Sequence, residues 1–261
     1  MKILPEHKEI LLTQSESKTL LQWVQFFDFQ YTKNQIYFFC YRNNAAIKKE
    51  PRIGNQNGRK YHINQDYFKT WSRNMAYVLG LWFADGCIYK GKIFDITLHA
   101  KDKYILKRIA EELQYEGTLY DYVDRQAARL NFSCVVIYND LVALGGTEAK
   151  SLTLQFPNIP KEYLGDFIRG YFDGEGSAMD LKNNRFNTAF ACSSKDFLDK
   201  LLLILQKECG VKGGSYDKSS KSLRFGKKDS ILIGRFMYKN DPELFLLRKR
   251  NKFLKYIKEE N

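Results

Sequence analysis

"VLGLWFADG" (78–86) returns ninety residues later as "IRGYFDGEG" (168–176). In both stretches an apolar helical run ends in a small residue, an acid and a glycine. Gly80 and Ala84 lie one helical turn apart, as do Gly170 and Gly174, so each helix carries small residues along one side. Such stripes let two helix backbones approach closely. Glycine inside a helix costs roughly 1 kcal/mol against alanine, which calls for a packing reason. Gly86 and Gly176 stand where a left-handed cap would stop each helix. Asp85 and Glu175, one step earlier, are then delivered side by side at the ends of two touching helices.

That position is electrostatically poor. A helix C-terminus carries partial negative charge, and two neighbouring acids oppose each other's ionisation. A divalent cation between them relieves both. A few oxygen ligands with water completing the shell suit Mg2+ (or Mn2+). A metal at a carboxylate pair activates water and stabilises the leaving oxygen in phosphodiester hydrolysis.

Outward from these stretches the text repeats itself. The first helix (74–84) is followed by strand-like "KIFDITLHA", helical "KDKYILKRIAEEL", strand-like "TLYDYVD" and "ARLNFS", and helical "VIYNDLVALGG". The second helix (162–174) is followed by strand-like "NTAFACSS", helical "KDFLDKLLLILQKECG", strand-like "SLRFG" and helical "DSILIGRFMY". Each unit reads as helix, two strands, helix, two strands, helix. Neither sheet buries both faces alone, and two units related by a pseudo-twofold axis with their first helices packed together solve that. The tail "LFLLRKRNKFLKYIKEE" is a further basic amphipathic helix.

Four segments follow: 1–47, 48–70, 71–156 and 157–261. In the first, "TLLQWVQFFDF" puts Leu20, Trp23, Val24 and Phe27 on one helical face, and "KNQIYFFCYRNN" is a second helix with a polar, basic end. The pair reads either as a helix-turn-helix without its usual turn glycine or as a helical hairpin that only packs. The second segment holds Pro51, Gly54 and Gly58 without periodicity and is a basic linker or arm.

Lys and Arg number 42 against 30 Asp and Glu, a formal charge of +12, and the excess is uneven. Residues 42–73 hold eight basic and two acidic side chains, residues 217–261 hold 13 and six, and the middle is near neutral. A charge run alone is equally a solvated face. Two of them, interleaved with aromatic residues, point to a polyanion, above all nucleic acid. Arg52, Arg59, Lys60, Arg129, Lys221, Arg224, Arg248, Lys249 and Arg250 are the candidate DNA contacts. The five cysteines form no CxxC pair, and the three histidines are scattered. Disulfides, a zinc knuckle and a histidine metal site are therefore disfavoured. No stretch has the length and apolarity of a signal peptide or membrane span, so a cytoplasmic monomer without membrane contact is expected. His99 reads as a strand residue, and Asp102 and Asp196 as acids at helix N-termini.

At these residues the chain resembles the LAGLIDADG homing endonucleases. "VLGLWFADG" and "IRGYFDGEG" look like the family's two signature helices, and "KSLTLQFPNIPKEYLGDFIRGYFDGEGS" and "ELFLLRKRNKF" resemble single-chain members from bacteria and phages. The resemblance covers about residues 74–256. It implies an α+β fold of two αββαββα units forming a DNA-binding saddle, preceded by the small helical segment. It further implies that Asp85 and Glu175 bind the metals and hydrolyse both strands of a long specific DNA site across the minor groove, in the setting of intron or intein mobility. Lys227 or Lys228 would supply a basic catalytic side chain, with Ser133 or Cys134 at the matching place in the first copy. Glu175 stands where Asp is commoner, and Phe83 fills a slot that Asp173 holds in the second copy. The alternative is a catalytically silent protein of the same fold that binds DNA or RNA, as a maturase or transcription regulator. A protein that only binds RNA is a weaker third.

Overall fold

The computed structural model describes residues 3–18, 20–28, 30–31, 33–43, 45–46, 61–148, 153–181 and 184–259. The chain divides into two compact units, Met1–Gly58 and Arg59–Asn261.

The first unit is helical: α1 (Pro5–Gln14), α2 (Leu20–Phe26) and α3 (Lys33–Arg42). Its core is its own, built from Leu11, Trp23, Phe27, Tyr31, Ile36 and Cys40. Trp23 is fully buried, and its indole N–H is satisfied by the Ser15 carbonyl at 3.2 Å.

The second unit repeats one plan twice. α4 (Arg73–Asp85), β1 (Gly86–Tyr89), β2 (Ile93–His99), α5 (Lys103–Glu112), β3 (Tyr120–Tyr122), β4 (Ala127–Ser133) and α6 (Val135–Ala143) make the first copy. α7 (Leu164–Glu175), β5 (Gly176–Leu181), β6 (Arg185–Ala191), α8 (Lys195–Cys209), β7 (Ser215–Asp217), β8 (Ser222–Phe225) and α9 (Lys227–Met237) make the second, and α10 (Leu247–Glu259) follows. The sheets are antiparallel with matching order, β1-β2-β4-β3 and β5-β6-β8-β7. Gly86 pairs with Ile96 in one, and Gly176 with Phe190 in the other.

Each sheet turns one face to a shared core. Alternation along β4 buries Ala128, Leu130 and Phe132 and leaves Arg129, Asn131 and Ser133 on the other face. α5 buries Ile105, Leu106, Ile109 and Ala110, and α8 buries Phe197, Leu198, Leu201 and Leu205, each a stripe at helical spacing. α4 is buried continuously from Met75 to Phe83, because it touches a partner helix as well as its own sheet. Ser72 starts it, accepting from the Met75 amide at 3.0 Å.

The expected left-handed caps at Gly86 and Gly176 do not occur. Their φ angles are −92° and −88° in extended backbone, and each helix runs directly into a strand. The glycines answer to side-chain clearance instead. A Cβ at Gly86 would lie 2.2 Å from Cδ1 of Trp82, and one at Gly176 would lie 2.2 Å from Cδ2 of Phe172. Each aromatic ring, four residues earlier, lies over the helix-to-strand junction. Among the described residues, no helix is long and apolar enough to cross a membrane.

Candidate functional site

The site begins with the packing of α4 on α7. A Cβ at Gly80 would meet the Phe167 carbonyl oxygen, and one at Gly170 would meet that of Tyr77. Gly80 and Gly170 therefore hold the two backbones in direct contact. One turn further, Gly174 faces Ala84, whose Cβ would lie 2.4 Å from a Cβ at Gly174. At the same level Asp85 Oδ2 lies 2.7 Å from that Gly174 position. The Asp85 carboxylate thus rests against the last turn of α7, next to Glu175, and both acids act on the buried Tyr171. Burial pushes the Tyr171 phenol up, and the charges of Glu175 and Asp85 push it in the same direction.

The C-terminus of α7 is capped by a lysine. Lys249 Nζ donates to the carbonyl oxygens of Phe172 (2.7 Å), Asp173 (2.7 Å), Gly174 (3.2 Å) and Gly176 (2.6 Å). It places a full positive charge on the negative helix end beside the two acids. Burial lowers its pKa to about 8, against the opposing pull of Asp173. Asp173 is buried too and accepts from the Tyr77 hydroxyl (2.8 Å) and the Leu246 amide (2.7 Å). Burial raises its carboxyl to about 6, with Lys249 pulling the other way. Asp173 therefore ties α4, α7 and the approach to α10 together. Phe83, at the matching place in α4, packs on Phe167 with ring centroids 5.5 Å apart.

The phosphate role expected of Arg248, Lys249 and Arg250 meets a buried side chain at Lys249, whereas Arg248 is exposed. Lys249 is 5% exposed, with four carbonyls around its ammonium. Arg248 grips Asp102 through Nε and Nη2, with bonds of 2.8 to 3.1 Å. Asp102 is buried and pairs across the repeat, rather than merely sitting at a helix start. Arg250 pairs with Asp241 and lies 4.3 Å over the Phe245 ring. Counting charge treats every lysine as surface. The apolar stripe Leu246, Lys249, Phe253, Tyr256, at spacings of three and four, is the signal that Lys249 faces inward.

Glu175 opens into a cavity of about 220 Å³ lined also by Phe83, Tyr171, Cys192, Ser193 and Lys221. Among the described residues it is Lys221, on the turn between β7 and β8, that lines this cavity, rather than Lys227 or Lys228. Lys227 lies over the Tyr256 ring at 4.9 Å, and Lys228 is exposed on the first turn of α9. In the first copy, Cys134 caps α6 by accepting from the Ile137 amide, and Ser133 is exposed at the end of β4. Arg224 is exposed on β8 and pairs with Asp217 at 2.8 Å. Arg129 is held by Asp95 and two tyrosines. Arg52, Arg59 and Lys60 lie outside the described residues. His99 accepts from the Lys101 amide at the end of β2, and Asp196 lies in the first turn of α8.

Asp85 and Glu175 are hard, anionic oxygen donors at adjacent helix ends, Asp85 half-buried and Glu175 exposed. That donor set fits a hydrated divalent cation better than a zinc-type site. Among the described residues no group of three or more His, Cys, Asp or Glu converges. Carboxylates from these two helices with water in the remaining positions are the arrangement the chain offers.

Residues 162–236 match the LAGLIDADG-like domain. A double mutant of I-SmaMI has a similar fold, with a TM-score of 0.50 at 12% identity, over 72% of this chain and 90% of that one. The LAGLIDADG meganuclease I-CpaMI, bound to uncleaved DNA, aligns with a TM-score of 0.48 at 16% identity, over 74% of this chain and 94% of that one. The probable translation initiation factor IF-2 of Methanocaldococcus jannaschii is 26% identical over 205 residues, 76% of this chain. The match spans only 17% of that relative's length. Residues 162–236 are thus similar to the LAGLIDADG-like domain, within a fold of two αββαββα units.

Proposed function

We propose that the chain is a site-specific endonuclease of double-stranded DNA, in the manner of homing endonucleases, acting as a cytoplasmic monomer. The observation that carries this reading is the delivery of Asp85 and Glu175 to corresponding ends of two helices joined backbone to backbone at Gly80 and Gly170. A protein that only binds DNA gains nothing from a carboxylate at each of two negative helix ends packed together.

Asp85 and Glu175 would hold Mg2+ or Mn2+, which supplies an activated water and charge stabilisation at the leaving oxygen. The chain's own residues do the rest. The glycine contacts fix the separation of the two carboxylates, and the Lys249 cap offsets the field of the α7 carbonyls beneath them. Lys221, in the cavity beside Glu175, is suited to a phosphate oxygen of the bound strand. The sheet faces turned away from the core carry Arg129, Asn131, Arg224 and Asn187 toward a duplex. The N-terminal helices α2 and α3 add contacts beyond the central site, in the manner of a helix-turn-helix.

The test is selection of cleaved molecules from a randomised duplex library with magnesium, repeated with Asp85→Asn and Glu175→Gln. Cleavage at one recurrent site, lost in both variants, is the expected result. A wild-type protein that binds a recurrent duplex without cutting it would establish the silent binding protein instead.

A further inference from the structure

The outward face of the first sheet carries a polar cluster that the carboxylate pair does not use. Register puts Asp95 on β2 opposite Asn131 on β4, with Arg129 two pairs along, opposite Thr97 and Tyr120. Asp95 is 4% exposed although it points away from the apolar core. Its Oδ2 accepts from Arg129 Nε at 2.6 Å, from Arg129 Nη2, and from Asn131 Nδ2 at 2.7 Å. Thr97 Oγ1 donates to the other oxygen at 3.2 Å. Arg129 then reaches outward, its Nη1 donating to the Tyr122 hydroxyl at 3.0 Å and its Nη2 to the Tyr89 hydroxyl at 3.3 Å.

The direction of these bonds is forced. A carboxylate only accepts and a guanidinium only donates. Each tyrosine hydroxyl spends an oxygen lone pair on Arg129, so its own proton points away from the cluster. Bonding to Asp95 and Tyr122 raises the Arg129 pKa further above its ordinary value, so the guanidinium stays a donor across the working range. The rim presented to a partner is therefore a pair of hydroxyls whose protons point outward. An ion pair this sheltered is costly to desolvate, and an apolar pair would hold the strands together as well.

We infer that Asp95 and Arg129 are positioning residues that fix Tyr89 and Tyr122 as donors to base edges, so that the half-site facing the first sheet is selected for guanine. This rests on the DNA reading above. Guanine shows two acceptors, N7 and O6, in the major groove, whereas cytosine shows the N4 donor, which a donor rim repels. The second sheet lacks the device. Its register puts Ala189 where the first has Asp95, and its Arg224 is held from the edge strand by Asp217. The preference belongs to one half of the site.

Full-length protein in EDTA is mixed with a library of randomised duplexes, and the bound molecules are sequenced. The wild type is expected to enrich guanine and deplete cytosine on one strand of one half-site. Arg129→Met is expected to relax that discrimination by about tenfold and leave the other half unchanged. Tyr122→Phe keeps the ion pair and is expected to lose the preference at the positions Tyr122 faces; Tyr122 is 36% exposed, so this variant carries the test if Arg129→Met does not fold. Unchanged base preferences in the folded variants, or equal loss of affinity for all sequences, would make the pair structural and overturn the inference. A wild-type protein that binds no duplex would overturn the DNA reading itself.

Discussion

Gly80 and Gly170 are locked to opposite carbonyls: a Cβ on either would fall 2.0 Å from a main-chain oxygen of the other helix, that of Phe167 or of Tyr77. Backbone cannot step aside as a side-chain tip can. Gly80→Ala or Gly170→Ala gains roughly 1 kcal/mol of helix propensity, but the helices must separate. The net loss is expected to reach about 3 kcal/mol or more, with cleavage lost alongside it. Urea denaturation of each variant measures this, and a loss under about 1 kcal/mol would mean the helices do not pack so closely.

Lys249, buried under α7, is expected to act on stability rather than on DNA. Lys249→Met leaves four carbonyls uncapped and Asp173 without the cation that pulls most on it, at an expected cost of about 3–5 kcal/mol. Arg248→Ala strands the buried Asp102 and costs about 1–3 kcal/mol. Folded Arg248→Ala protein is expected to keep the wild-type slope of log affinity against log salt. Loss of about one unit of slope would restore it as a phosphate contact.

Lys249 also sets a pH dependence. Its folded pKa, about 8, lies below the ordinary 10.5, so between these values the unfolded chain holds the proton more tightly. Stability conferred through this group therefore rises as pH rises through that window. Wild type minus Lys249→Met is expected to improve by about 2 kcal/mol from pH 8 to 9.5, the subtraction removing the shared titration of other groups. A flat or falling difference would place the ammonium in solvent.

Much of the fold was legible because the two copies keep their periods. Gly80 and Gly170, Asp85 and Glu175, and the stripes of α5 and α8 all stand at matching places. β1, β5 and β7 were not legible as separate strands. They are three to six residues long, and two of them begin at the glycine that appears to end a helix. The acid pair could be placed because each acid ends the first helix of a repeat. The groups around it could not, since Lys249, Tyr77 and Asp95 meet their partners only through long-range packing. In the sequence Lys221 is only a positive charge, and its cavity beside Glu175 exists only in the fold.

The two units have separate cores, Trp23 and Phe27 in one and Trp82 and Phe172 in the other. Removing residues 1–58 is therefore expected to leave a folded unit that still cleaves, with a shorter footprint if α2 and α3 touch DNA. An unchanged footprint would make the helices a packing module, and a truncated protein that unfolds would show that the cores depend on each other.

The last prediction concerns the acid pair without metal. Asp85 and Glu175 repel each other at two negative helix ends, and the Lys249 ammonium beneath α7 offsets part of that strain. Asp85→Asn keeps the shape and removes one charge. In EDTA the variant is expected to be more stable than the wild type by about 1 kcal/mol, the scale of a one-unit pKa perturbation. With magnesium the order should reverse, because the wild type gains binding energy that the variant lacks. Chemical denaturation in both conditions reads this without reference to catalysis, and a plasmid-nicking assay on the same samples should show cleavage nearly abolished. If the variant were less stable in EDTA, its carboxylate would be needed for packing. If it gained as much from magnesium as the wild type, the cation would be binding elsewhere, and Asp85 would not belong to the metal site.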